Sequence, residues 1–291
     1  MNHTNSVIKA LAYNLGGFLP DKIYLKIRYR ITFHKKLNLL EPRTYNEKIQ
    51  WMKIYDRNSL YTTLVDKYEV KKYVSDIIGE DHVIPTLAVW NNEEEIDIEE
   101  LPDQFVLKCT HDSGSVLICR DKSSFDLQSA KKHFKKCLNT SSFKGGREWA
   151  YKDVAHRIIA EPYLEDESST DLKDYKFFCF DGKVKALFIA TDRGVEGTDV
   201  KFDFFDENFV HLSLKHGHEN ASIIPTKPDN FDDMKIIASK LSSGMRHARV
   251  DLYNLNGKIY FGEITFYHHC GFVPFTPDSW DYKFGDWLNI K

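Results

Sequence analysis

Two carboxylates and a guanidinium interrupt the apolar runs near the C-terminus, in Arg249-Val250-Asp251-Leu252-Tyr253 and Gly262-Glu263-Ile264-Thr265-Phe266. A buried carboxylate is costly unless it is paired or bound to a metal, so strands that keep two of them call for a cation. Side chains alternate along a strand, which puts Arg249 and Asp251 on one face. The turn then decides where Glu263 points. A two-residue Asn256-Gly257 turn sets Asp251 opposite Gly262 and sends Glu263 to the other face. A three-residue loop from Leu255, with Gly257 as a left-handed bulge, sets Arg249 opposite Glu263 and gathers all three. Metal binding through Asp251 and Glu263 therefore predicts the longer loop. The plainer alternative is an Arg249–Glu263 ion pair with Asp251 at an exposed edge.

A second constellation is Phe105-Val106-Leu107-Lys108-Cys109 followed by Thr110-His111-Asp112-Ser113-Gly114-Ser115. An ammonium on an apolar strand, next to a small polar turn with available N–H groups, suits phosphate oxygens. An exposed strand lysine before an ordinary turn is the competing reading. In Glu161-Pro162-Tyr163-Leu164 a strand ends at a residue that lacks an N–H, leaving nearby backbone groups for a partner such as an adenine edge. Tyr267, His268, His269 and Gly271 follow the second acidic run, and Asp192-Arg193 ends another strand, so these groups could line a substrate cleft. His268 or His269 could take a proton, because imidazole titrates near neutrality. Around Cys270 the ligand spacing that zinc requires is missing.

These residues need elements to position them. Thr44-Tyr45-Asn46-Glu47 has the capping-box spacing and predicts a helix running to Tyr55. Leu60, Leu64, Tyr68, Val70, Val74 and Ile77 predict one further helix, closed by Gly79 in a left-handed cap. Strands are expected over 83–90, 105–109, 115–120 and 157–164, with a helix through Ala130, Phe134 and Leu138. Asp181-Gly182 and Asn256-Gly257 mark hairpins over 175–190 and 248–266, and a third surrounds Asp206-Glu207-Asn208. Met234, Ile237 and Leu241 lie on a helix that ends at Gly244. Antiparallel hairpins alternating with helices predict an α+β fold.

Composition narrows the function. The 291 residues carry 40 Lys+Arg against 43 Asp+Glu, a formal charge of -3, which offers no general field for nucleic acid. Five cysteines without a CxxC pair suggest buried thiols in a reducing compartment. The apolar stretch over 7–19, broken by Lys9 and Asn14, fits neither a spanning helix nor a cleaved leader, so a cytoplasmic protein is expected. Lys22, Lys26, Arg28, Arg30, Lys35 and Lys36 interleave with apolar residues, and could touch an anionic membrane or simply form a solvated helix face.

Taken in order, Lys108 with its Ser-Gly-Ser turn, Glu161-Pro162-Tyr163-Leu164, Asp174-Tyr175-Lys176, Arg249-Val250-Asp251 and Glu263-Ile264-Thr265-Phe266 resemble the ATP-grasp superfamily. Asn46-Glu47-Lys48-Ile49-Gln50-Trp51, the run Asp174 to Gly182 and Trp280-Asp281-Tyr282-Lys283 resemble its TupA-like branch, associated with teichuronopeptide and other surface polysaccharides. The resemblance implies two α+β lobes clasping ATP behind a helical N-terminal region. It divides the chain into an N-terminal region over 1–104, a small lobe over 105–164 and a large lobe over 165–291. It further implies ATP and Mg2+ as cofactors. Lys108 would meet the α/β phosphates under a flap of Ser113, Gly114 and Ser115. Glu161, Pro162, Tyr163 and Leu164 would belong to the nucleotide site, with backbone of Pro162 and Leu164 reading adenine, and Asp174 would hold the ribose. Lys176 or Lys201 would add phosphate contacts. Asp251 and Glu263, with Thr265 where many members have asparagine, would bind magnesium, and Arg249 would steady the transferring phosphoryl group. The implied reaction is carboxylate–amine ligation through an acylphosphate, on a polysaccharide building block such as a uronic acid. A sugar-nucleotide-dependent glycosyltransferase and a non-catalytic ATP-binding scaffold are the alternatives.

Overall fold

The computed structural model describes residues 19–165, 173–192 and 199–291. Arg193 and all but the last residue of the stretch over 7–19 lie outside the described residues. Helix α1 (Asp21–Phe33) buries Tyr24, Leu25 and Tyr29. Helix α2 (Tyr45–Tyr55) starts at the expected capping box: Thr44 Oγ1 accepts the Glu47 N–H at 3.2 Å, and Glu47 Oε2 accepts the Thr44 N–H at 3.2 Å. The single helix expected after it is two, α3 (Leu60–Val65) and α4 (Val70–Ile78). Asp66 breaks it. Its Oδ1 accepts the N–H groups of Tyr68 at 2.8 Å and Glu69 at 3.2 Å, while Oδ2 accepts from Arg157 Nη2 at 2.8 Å. Gly79 does take a positive φ of 96°, but its ψ of 155° is not that of a left-handed helical cap.

Strands β1 (Ala88–Trp90), β2 (Phe105–Cys109) and β3 (Leu117–Cys119), helices α5 (Leu127–Leu138) and α6 (Ser142–Gly146), and β4 (Ile158–Pro162) follow. The first strand begins five residues later than the expected 83, and it pairs with β4 in a sheet of order β1-β4-β2-β3. The sheet thus draws on both sides of the boundary expected at 104/105. Phe105, Leu107 and Cys109 point to its inner face, where Phe134 of α5 is buried with them.

Strands β5 (Asp174–Phe180), β6 (Lys183–Thr191), β7 (Lys201–Asp206), β8 (His211–Leu212) and β9 (Lys215–His216), helix α7 (Phe231–Leu241), strands β10 (His247–Leu255), β11 (Lys258–Thr265) and β12 (Phe275–Thr276), and helix α8 (Ser279–Trp287) complete the chain. Six of these strands form an antiparallel sheet of order β11-β10-β5-β6-β7-β8, and β12 pairs with β9. Both expected hairpin turns have positive φ at each central residue: 47° and 73° at Asp181-Gly182, 52° and 83° at Asn256-Gly257. Helix α7 buries Phe231, Met234, Ala238 and Leu241 beneath this sheet. Tyr45 of α2 lies among Phe178, Phe180, Phe275 and Phe284, and its hydroxyl meets His247 Nε2 at 2.9 Å. The N-terminal helices are thereby locked to the larger sheet. The fold is α+β with antiparallel sheets, as expected from the hairpins.

Candidate active site

The β10–β11 pairing resolves the question of register in a way neither turn alone allows. The connection is the two-residue Asn256-Gly257 turn, with Leu255 opposite Lys258, so the three-residue loop expected for a metal site is not formed. A bulge instead shifts the register between Asp251 and Leu252: Leu252 faces Phe261, whereas Asp251 faces Glu263 and Arg249 faces Thr265. Gly262 is the residue passed over. A Cβ there would lie 3.1 Å from the Asp251 carbonyl oxygen, so the bulge requires glycine or a local shift. One extra residue thus turns Glu263 and Thr265 onto the face of Arg249 and Asp251.

Strand β5 adds Lys176 opposite Asp251 and Asp174 opposite Tyr253 on this face. Arg249 donates from Nε to Asp251 Oδ1 and from Nη2 to Asp251 Oδ2, both at 2.7 Å. Its Nη2 also reaches Glu263 Oε1 at 3.0 Å and Thr265 Oγ1 at 3.2 Å. Lys176 contacts Asp251 and lies 2.6 Å from Asp174 Oδ2. The result is a chain of alternating charges, Asp174–Lys176–Asp251–Arg249–Glu263, that begins and ends on an acid. Burial pushes Asp251 above the usual carboxylate range. Burial acts on Glu263 too, but Lys67, Lys176 and Arg249 outweigh it and draw its pKa down to about 2. The Asp251 side chain is 1% exposed and that of Glu263 is 32% exposed, so Glu263 is the open end of the chain.

On the smaller sheet, Lys108 Nζ lies 2.6 Å from Glu161 Oε2, and Lys71 Nζ lies 2.7 Å from Glu161 Oε1. Against burial, the two ammonium groups hold Glu161 below its ordinary pKa. Register places Val106, Lys108, Ile118, Glu161, Ile159 and Val89 on one face of this sheet. Val89 and Ile118 are 36% and 51% exposed there, an apolar surface bordering a Lys–Glu–Lys cluster. The flap is divided in its duties. Ser113 and Gly114 are exposed at its tip, with Gly114 at φ 110°. Ser115 is buried, receiving the Cys109 N–H at 2.8 Å and donating to Asp112 Oδ1 at 2.6 Å, so it braces the turn. Pro162, Tyr163 and Leu164 are half-buried at the end of β4.

The structure places three further expected residues. Lys201 alternates with Phe202, which shares the face of Ala190 and Asp174, so Lys201 points to the opposite face from Lys176. Asp174 is 2% exposed with its carboxylate on Lys176, which joins it to the ion network. His268 receives Arg249 Nη1 on Nδ1 at 2.7 Å, and burial together with His269 and Arg249 holds its pKa well below 6.5. That makes His268 a rest for the guanidinium and a poor proton acceptor. Lys67 and Lys71 were not singled out from the sequence, because lysines four apart beside apolar residues read as the solvated edge of a helix. The Asp66 break turns Lys67 to the flap instead: its N–H donates to the Thr110 carbonyl at 3.1 Å and its ammonium to that of Asp112.

The donor set fits magnesium. Asp251, Glu263 and Thr265 offer only hard oxygens on one face, and the charge chain carries one more acid than base.

The family model described as TupA-like ATPgrasp matches residues 47–289. Similar solved structures include a D-alanine–D-alanine ligase from Bacillus anthracis complexed with ATP, at 15% identity and a TM-score of 0.43, covering 70% of this chain and 55% of that one. The D-alanine–D-alanine ligase from Helicobacter pylori gives 15%, 0.42, 77% and 62%. The ADP complex of purK, an N5-carboxyaminoimidazole ribonucleotide synthetase, gives 14%, 0.45, 76% and 50%. The chain spans less than two thirds of the length of each. No curated protein matches the sequence.

Proposed function

Since the chain belongs to the TupA-like ATP-grasp family, we propose that it is an ATP- and magnesium-dependent ligase that joins a carboxylate to an amine in surface-polysaccharide synthesis. The observation that carries this reading is the bulge at Gly262, which spends a strand irregularity on bringing Asp251, Glu263 and Thr265 to one face beside Arg249. A sheet has no structural need to concentrate that much charge.

In this reading adenine covers the apolar patch of Val89, Val106 and Ile118, its edge read by backbone of Pro162 and Leu164. Lys108 and Lys71 leave Glu161 in part to meet phosphate oxygens, and the Ser113-Gly114 tip closes over them. A carboxylate oxygen of the donor attacks the γ-phosphorus, the bond to the β-phosphate oxygen breaks, and ADP departs. The acceptor amine then attacks the acyl carbon of the resulting acylphosphate, losing a proton, and inorganic phosphate leaves. Arg249 matches the charge that spreads over the transferring group, and Lys176 holds Asp251 in its ionised form. Magnesium, held by Asp251 and Glu263 with Thr265 beside them, would neutralise phosphate charge. Phosphate release from MgATP across a panel of amino acids and uronic-acid glycans tests the proposal. Stimulation by one donor–acceptor pair is expected. Failure to bind ATP, with binding of uridine nucleotides in its place, would overturn it in favour of a sugar-nucleotide enzyme.

The surroundings of such a substrate would include a membrane. No helix of the described residues is long and apolar enough to cross one. Helix α1 does expose Ile23, Ile27 and Ile31 at 48%, 46% and 40%, flanked by exposed Lys22, Lys26 and Arg30, whereas Arg28 turns inward over the Phe272 ring. An apolar stripe edged with cations suits an anionic bilayer surface. Vesicles containing phosphatidylglycerol are expected to retain the protein at low salt and to release it as the Debye length shrinks below about 10 Å. Lys26→Glu with Arg30→Glu should cut the bound fraction severalfold. Binding that ignores salt and lipid charge would remove this part of the reading.

A further inference from the structure

Three histidines far apart in sequence converge beside Arg249. His216 ends β9, while His268 and His269 open the turn after β11. Their candidate ligand atoms all lie within 4.8 Å of one another. Each ring also has a nitrogen with no hydrogen-bond partner: Nδ1 of His216, Nε2 of His268 and Nε2 of His269. His216 and His268 are 0% and 1% exposed, and an unsatisfied polar atom so deeply buried is destabilising. The three rings converge in one cluster, where a shared partner would satisfy these atoms.

Their protonation states narrow its chemistry. Nε2 of His216 lies 3.0 Å from the Val273 carbonyl oxygen, to which it donates, so Nδ1 keeps its lone pair. The His269 ring is hydrogen-bonded to the backbone of His216, and its Nε2 likewise remains an acceptor. A remote N–H fixed on a carbonyl is the usual second support of a metal-bound imidazole. His268 is different: a guanidinium can only donate, so Nδ1 accepts from Arg249 and the neutral ring carries its proton on Nε2. Binding a cation at Nε2 replaces that proton, which leaves to solvent, and the guanidinium balances the charge left on the ring.

We propose that His216, His268 and His269 form a site for a divalent transition-metal ion of the zinc class, separate from the oxygen site of Asp251 and Glu263. Three imidazole nitrogens favour zinc, cobalt or nickel, whereas magnesium prefers oxygen. The surrounding backbone is shaped to bring the rings together. His269 and Cys270 adopt φ of 49° and 54°, and a Cβ at Gly217 would lie 3.0 Å from His269 Nε2. A bound ion would clamp the β9–β12 sheet to the turn carrying His268, and through His268 would fix the outer side of Arg249.

Cobalt titration of the chelator-stripped full chain tests this, with excess magnesium present to fill the oxygen site. We expect one equivalent of Co2+ with the visible absorption of a four-coordinate nitrogen-bound ion, displaced by Zn2+. His216→Ala and His269→Ala should each weaken binding by about 100-fold or more, at the upper end of what even supporting residues contribute. His34→Ala, at an exposed position, should change nothing. X-ray absorption on the wild-type zinc-loaded protein gives a reading that does not depend on variants folding. Imidazole scattering supports the site. A shell of oxygens alone, no stoichiometric uptake, or full affinity in folded His216→Ala or His269→Ala protein would overturn it.

Discussion

Glu263→Ala is expected to lower MgATP turnover by about 100- to 1000-fold, the range seen when one preorganised electrostatic contact to a transition state is removed. The loss should fall on kcat and on magnesium dependence together. Glu263 is the open end of the charge chain, 32% exposed and held ionised by Lys67, Lys176 and Arg249, so it is the acid that an entering cation meets first. Stability should hardly move. Arg249 keeps both oxygens of Asp251, and the lost pair is partly solvated, where ion pairs contribute about 0–1 kcal/mol. In a chain of this size that corresponds to a melting shift of only about 2–4 °C. Turnover within about threefold of wild type, in protein of unchanged melting temperature, would show that Glu263 serves the sheet and not the chemistry.

The hairpins, the capping box and the α+β class could be read because each is a local statement. Asp181-Gly182 and Asn256-Gly257 require positive φ, and Thr44 to Glu47 closes on itself. The charge cluster could be read only in part. Arg249, Asp251 and Glu263 announce a cation by their types, but their common face depends on a bulge. Gly262 was its only trace, a glycine in the interior of a strand, where such a residue often marks a kink or a close approach. Lys67 and Lys71 were hidden for a related reason: a helical period ran through Asp66, and a side chain that satisfies its neighbours' N–H groups ended the helix there. The face of Lys201 was not legible because type and proximity in sequence say nothing of the pleat; only the pairing of Thr191 with Lys201 fixes it. His216 could not be found at all, since its meeting with His268 is purely tertiary.

Arg249→Met should be strongly destabilising. The guanidinium binds both oxygens of Asp251, reaches Glu263 and Thr265, and rests on His268. Without it, Asp251 stays 1% exposed with Lys176 as its remaining cation among the contacts described. Breaking a buried pair from one side costs about 3–5 kcal/mol, or a melting temperature lower by about 10 °C. The deficit should depend on pH in a defined direction. Burial already raises the Asp251 pKa, and losing Arg249 raises it further; a folded state that binds its proton more tightly than the unfolded chain gains stability as pH falls. Acidification from pH 7 towards 5 should therefore narrow the gap between variant and wild type. Adding Asp251→Asn removes the stranded charge and should recover about half of the lost stability at pH 7, through a non-additive coupling of roughly 1–3 kcal/mol. Turnover should stay low, because neither the phosphoryl charge nor the metal regains its partner. Recovery of turnover in the double variant would remove both Arg249 and Asp251 from the chemistry, and additive losses would mean that the two side chains are not the coupled pair their geometry describes.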